Sequence, residues 1–199
     1  MEYDPEIHHR RSVRMPQYDY SDPGAYFITI CASRRACTFG EIVNCQVNLS
    51  PIGRIVDQCW AEIPSHFENA EIDEFVVMPN HIHGILRIVE NAGTACRAPT
   101  SRHTPVFGQF ARPERGSVAT IIRSFKSAAT RRARQQGLSK SASIWQRNYY
   151  ERVVRNEEEL ARIQKYIIEN PLTWELDREN PLSKNFDIDH GEYFNGIYV

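Results

Sequence analysis

Apolar and polar positions divide the chain into short extended runs and longer helical ones. Residues 25–31 are β-branched and aromatic (Tyr26, Phe27, Ile28, Thr29, Ile30) and follow Pro23-Gly24, which predicts a strand. Residues 37–49 alternate over a shorter stretch and predict a small hairpin. Ser50-Pro51 then opens a helix whose apolar positions Ile52, Ile55, Val56, Cys59 and Trp60 recur at helical spacing. Proline is tolerated in that first turn because its missing N–H has no helical partner to lose. Strands are predicted again at 71–78 and 82–89, joined by a Pro79-Asn80 corner short enough for the two to pair. Residues 90–116 hold Gly, Pro, Thr, Arg and Ser without periodicity and predict a surface loop.

The second half is more helical. Ser117 caps a predicted helix running to about Gln136, with Val118, Ile121, Ile122, Phe125 and Ala129 within one arc. Arg123, Lys126, Thr130 and Arg134 lie on the neighbouring arc, and Gly137 stops the helix. Residues 144–154 predict one more strand. Asn156 followed by Glu157, Glu158 and Glu159 reads as an N-cap with acids in the first turn. That helix must end near Asn170, because Pro171 disfavours helical geometry in the residue before it. The acidic, aromatic chain from Leu172 onward is expected to wrap the surface. No internal repeat is visible. The pattern predicts one domain over 1–199, with a core of about 24–174, a polar arm at 1–20 and a tail at 175–199. Its class is α+β: a mainly antiparallel sheet sandwiched by helices.

Composition narrows the function. A chain of 199 residues, 41% hydrophobic and 25% charged, can bury one domain. No apolar run approaches a membrane span, and charge and proline occupy the N-terminus where a secretory signal needs an apolar core. A cytoplasmic location is therefore expected. The five cysteines are odd in number, irregularly spaced and without a CxxC pair, which predicts reduced thiols. The net charge of −1 hides a segregation. Residues 110–155 carry eleven bases against two acids, whereas 156–199 carry four against ten. Such a basic block is a footprint that polyanions bind, or an ordinary solvated helix.

Two clusters carry candidate chemistry. In His81-Ile82-His83, alternation along a strand sends both imidazoles to one face, where they can reach the same ion. On the last helix, Leu160, Ile163 and Ile167 form the buried seam, with Glu159, Arg162, Tyr166 and Asn170 on the flank beside it. Tyr166 and Asn170 are one turn apart, so a phenol and an amide oxygen stack together. Each cluster also has a plain structural reading: two histidines on a half-exposed strand, and a tyrosine at the core edge beside an asparagine cap.

Together these residues resemble a family. The segment from Phe75 through Met78-Pro79-Asn80-His81-Ile82-His83 to Gly84 is similar to the His-hydrophobe-His segment of the IS200-like single-tyrosine (HUH) transposases. The run from Ile144-Trp145-Gln146-Arg147-Asn148-Tyr149-Tyr150-Glu151-Arg152 to Arg155, then Tyr166-Ile167-Ile168-Glu169-Asn170-Pro171, resembles the branch associated with repetitive extragenic palindromes. The resemblance spans roughly Tyr26 to Trp174. It implies a ferredoxin- or RRM-like palm, with Mg2+ or Mn2+ held by His81, His83 and Asn170. It further implies that Tyr166 attacks a phosphate of single-stranded DNA beside a palindromic hairpin, leaving a 5′-phosphotyrosine. Whether such a protein works as a monomer or a homodimer is left open, because relatives differ in where the tyrosine helix docks. The 90–116 loop is longer than in compact relatives.

The basic segment then gains a task. Arg123, Lys126, Arg131 and Arg134 suit phosphates, Trp145, Tyr149 and Tyr150 offer stacking faces, and Arg147 and Arg152 suit phosphates or bases. For Trp145 a core position is an equal alternative. The main rival is a non-catalytic single-strand binding module with an RRM-like sheet, which leaves the His, Tyr and Asn cluster as coincidence. A metallo-β-lactamase-like hydrolase would want His-x-His-x-Asp-His, and a cupin many more strands.

Overall fold

The computed structural model describes residues 19–90, 114–140, 143–177, 179–181 and 183. The expected arm before Asp19, the 91–113 part of the long loop and most of the tail lie outside the described residues.

Strand β1 (Gly24–Cys31) leads through a 3-10 turn to the hairpin of β2 (Gly40–Val43) and β3 (Gln46–Leu49). The hairpin turn, Asn44-Cys45, has φ of 51° and 60°, the doubly left-handed geometry whose twist matches the flanking strands. Helix α1 (Pro51–Ala61) starts as expected, with Ser50 Oγ accepting from the Gly53 N–H at 3.0 Å. A single turn, α2 (Ile63–His66), precedes β4 (Ala70–Val77) and β5 (His81–Ile88). Further along the chain come α3 (Val118–Gln135), β6 (Tyr150–Val154), α4 (Glu157–Glu169) and a 3-10 segment over Asn170–Leu176. Ser117 caps α3, and Gly137, at φ 70°, ends it.

The four long strands form one sheet in the order β4-β5-β1-β6, every neighbouring pair antiparallel. Setting aside the β2–β3 insertion, the chain runs β-α-β-β-α-β, a ferredoxin-like order. The α+β class read from the sequence is the class observed.

Strand alternation gives the two sheet faces different neighbours. Tyr26, Ile28, Ile30, Ile82 and Leu86 share the main core with Trp60 of α1 and Ile121, Ile122 and Phe125 of α3. Phe27 and Ile85 point the other way, into a smaller core with Ile163, Tyr166 and Ile167 of α4. Gly84 lets α1 approach the sheet. A Cβ there would lie 2.5 Å from Cζ2 of Trp60 and 3.1 Å from the Phe75 Cβ. Overpacking of this kind costs about 1–3 kcal/mol. Gly84→Ala should therefore lower the urea midpoint, and an unchanged midpoint would mean the indole can move aside.

Two expectations need correction. The strand read over 144–154 exists only at Tyr150–Val154. Trp145 makes a single bridge to Ala32, and the chain then bends. The carbonyls of Gln146, Arg147 and Asn148 face the Lys126 ammonium, at 2.7, 3.5 and 3.4 Å, instead of a neighbouring strand. The start of the tail does not simply wrap the surface either. The 3-10 segment folds back, and Asp177, Glu179 and Asn180 are buried.

Candidate active site

His81 and His83 leave β5 on the α4 side of the sheet, both fully buried, with ring centroids 4.4 Å apart. Each ring is oriented through Nδ1. That of His81 lies 2.8 Å from Asn80 Oδ1, and that of His83 lies 2.9 Å from Oγ1 of Thr29, its direct partner on β1. The Phe27 ring stacks on His83 at 5.5 Å. Burial holds the His81 imidazole down to about 4; Glu179 opposes that shift and Arg35 reinforces it. His81 is thus neutral at physiological pH, the form that donates a lone pair.

Helix α4 delivers the tyrosine. Its start is fixed by Asn156, whose Oδ1 accepts from the Glu159 N–H at 2.8 Å, while Glu159 Oε2 accepts from the Arg155 N–H at 2.8 Å. Gln164 fastens the helix to β4 by donating to Asp73 Oδ1 at 2.8 Å. Tyr166 is buried, not merely on the flank of the seam, and its ring meets Phe27 edge-on at 6.1 Å. The phenol oxygen lies 3.1 Å from Nε2 of His83. Asn170, one turn on, is also buried, and neither atom of its amide has a hydrogen-bond partner among the described residues.

A further group stands beside this pair. The Oδ2 of Asp177 lies 3.8 Å from Nε2 of His81, and one donor atom each from His81, His83 and Asp177 fall within 4.8 Å of one another. Nε2 of His81 has no hydrogen bond among the described residues. A buried imidazole nitrogen left without a hydrogen bond, next to a second imidazole and a carboxylate, fits a divalent cation. Sequence reasoning missed Asp177. It is one acid among ten after Asn156, and only the fold-back of the 3-10 segment brings it to β5.

No protein-family model matches the chain. A protein of Haemophilus influenzae (strain ATCC 51907 / DSM 11121 / KW20 / Rd), described as an uncharacterized protein, is 42% identical over 179 residues, spanning 88% of this chain and 96% of the relative. The chain belongs to the family of that protein. Among solved structures, the REP-associated tyrosine transposase bound to a REP hairpin is similar over 82% of this chain and 74% of its own, with a TM-score of 0.53 and 18% identity. The chain therefore shares the fold of that tyrosine transposase.

The residues expected to contact DNA separate within this fold. Helix α3 packs on the sheet face opposite α4, so its basic side is remote from Tyr166. Lys126, Arg131 and Arg134 line a cleft of about 590 Å3 with Thr130, Ser143 and Trp145. Arg123 lines a neighbouring groove of about 440 Å3 with Glu62, His66 and Arg131. Lys126 is engaged by the three carbonyls of residues 146–148, and burial lowers its pKa. Trp145 is buried between Phe39 and Phe125, at 5.1 and 5.3 Å, and its indole N–H donates to the Lys126 carbonyl at 3.0 Å. It is a core residue here that leaves only a small part of its surface on the cleft. Arg152 pairs with the buried Glu159 across the β6–α4 junction, so its charge is already matched within the protein. Arg147 is exposed, and Tyr150 is half-buried on the edge strand β6, its ring edge-on to Phe27 at 6.3 Å.

Proposed function

We propose that the protein is a metal-dependent single-strand DNA endonuclease and strand transferase, acting in the cytoplasm on palindromic hairpin elements with Tyr166 as nucleophile. The observation that carries this reading is the phenol oxygen 3.1 Å from His83 Nε2, in the buried pocket that also holds His81 and Asp177. The transposase named above was solved on a REP hairpin, which supports DNA of that kind as substrate.

In this reading the Tyr166 oxygen forms a bond to a DNA phosphorus, and the phosphorus–O3′ bond breaks. The phenol gives up its proton, the 3′-oxygen takes one up, and the 5′ end stays on the protein as a phosphotyrosine. Phosphodiester energy is conserved, so a second 3′-hydroxyl can reverse the step on another strand without ATP. A phenol of pKa about 10 is a weak nucleophile at neutral pH. Bound Mg2+ or Mn2+, held by His81, His83 and either Asp177 or Asn170, would supply Lewis-acid polarisation of the phosphate. Phe27 stacks on His83, and Thr29 and Asn80 orient the two imidazoles through Nδ1. Arg131 and Arg134 would hold phosphates on the α3 side, and the strand would pass the β6 edge at Arg147 and Tyr150 to reach the pocket.

The test is incubation with hairpin oligonucleotides bearing single-stranded flanks, with Mg2+ or Mn2+. A detergent-resistant protein–DNA adduct is expected. No adduct with either metal, across varied flanks, would count against the reading.

Binding should also weaken steeply with salt, by about 0.7 in the log–log slope per neutralised phosphate of single-stranded DNA. Arg131→Glu with Arg134→Glu should flatten that slope and leave metal affinity unchanged. Equal affinity for a blunt duplex and for a flanked hairpin would argue against a single-strand substrate.

A further inference from the structure

We propose that Asn80 is a positioning residue that fixes the His81 tautomer and ties the turn carrying Asp177 to the metal pocket. The inference rests on the metal reading of His81 and concerns a residue that touches neither substrate nor reacting atoms in that reading.

The Asn80 side chain is fully buried at the β4–β5 corner and meets three separate segments. Its Nδ2 donates to the Arg35 carbonyl at 3.1 Å and to the Glu179 carbonyl at 2.6 Å. Backbone carbonyls only accept, so the amide cannot be turned over without facing oxygen to oxygen twice. The Oδ1 is thereby aimed at Nδ1 of His81, 2.8 Å away. An amide oxygen also only accepts, so Nδ1 of His81 must carry the proton, and the lone pair resides on Nε2. That is the nitrogen 3.8 Å from Asp177 Oδ2. Two carbonyls thus fix an amide, the amide fixes a tautomer, and the tautomer sets which nitrogen can take a cation.

The same amide fastens the far end of the chain. Glu179, whose carbonyl Asn80 holds, donates its N–H to Asp177 Oδ1 at 2.6 Å. Its carboxylate meets Nε of Arg35 at 3.2 Å and the Cys31 thiol at 3.4 Å. Asn180 Nδ2 donates to the Trp174 carbonyl at 2.9 Å and closes the turn. Asp177 therefore reaches the histidines on a turn that Asn80 clamps to the β4–β5 corner.

Two substitutions separate these roles. Asn80→Asp keeps an acceptor for His81 but loses both donors, so the tautomer should persist while the Asp177 turn is released. Asn80→Ala removes both functions. Imidazole 15N shifts in metal-free protein report the tautomer, and Mn2+ titration calorimetry reports the site. The wild type should show the Nδ1–H form of His81, kept in Asn80→Asp and mixed in Asn80→Ala. Both variants should bind Mn2+ about ten- to a hundredfold more weakly. An Nε2–H tautomer in the wild type, an unmixed tautomer in Asn80→Ala, or wild-type Mn2+ affinity in both variants would overturn the assignment. A wild type that shows the Nδ1–H form and yet binds no Mn2+ overturns the metal reading on which the inference rests.

Discussion

Tyr166→Phe should form no covalent adduct with any hairpin oligonucleotide, a loss of at least about a thousandfold in cleavage, as expected when a covalent nucleophile is removed. The substitution deletes one oxygen from a ring that Phe27 and the α4 core otherwise retain. Taking a hydrogen-bond partner from the buried His83 ring should cost about 1–3 kcal/mol of stability, so circular dichroism and hairpin binding should stay near wild type. Tyr150→Phe is the matching control, because Tyr150 shares the Phe27 contact but lies on the edge strand. Phosphotyrosine in digests of wild type and of Tyr150→Phe, and none in Tyr166→Phe, is the expected pattern. Adduct formation by Tyr166→Phe that disappears in Tyr150→Phe would move the nucleophile to β6.

The sequence made the scaffold legible wherever local chemistry agreed with long-range packing. Ser50 and Pro51, Ser117 and Gly137, and Asn156 ahead of three glutamates mark helix ends by capping alone, and the helices begin and end there within a residue or two. The alternation of Phe27, Thr29, His81 and His83 puts four side chains on one face whatever the helices do. What was not legible depends on contacts between distant residues. Ile144 and Trp145 look like strand residues, but Phe39, Phe125 and the Lys126 carbonyl draw the indole into the core and bend the chain after it. Lys126 and Arg152 look free to meet phosphates, yet one is occupied by carbonyls and the other by Glu159. Nothing in the spacing of residues 170–180 announces that a 3-10 turn will return a carboxylate to β5.

That carboxylate gives the second large effect. Asp177→Asn should weaken Mn2+ binding by more than the about ten- to hundredfold that outer-shell changes cost, because it removes a charged donor next to His81. The turn itself should survive, since the new side-chain oxygen can still accept from the Glu179 N–H as Oδ1 does now. Loss of affinity without loss of fold is then visible as a missing metal-induced rise in melting temperature. Wild-type protein at a hundred times its dissociation constant should gain about 2.7 kcal/mol from the metal, and Asp177→Asn at the same concentration much less. Asn170→Ala decides the competing ligand assignment. Asn170 is the donor the family resemblance implies, and its buried amide lacks partners among the described residues, so it has capacity to spare. A carboxylate attracts a divalent cation far more strongly than a neutral amide does. Titrations should therefore rank Asp177→Asn as the more damaging change. Wild-type Mn2+ affinity in Asp177→Asn, with the loss appearing only in Asn170→Ala, would return the third ligand to the tyrosine helix and leave Asp177 outside the metal's ligand set.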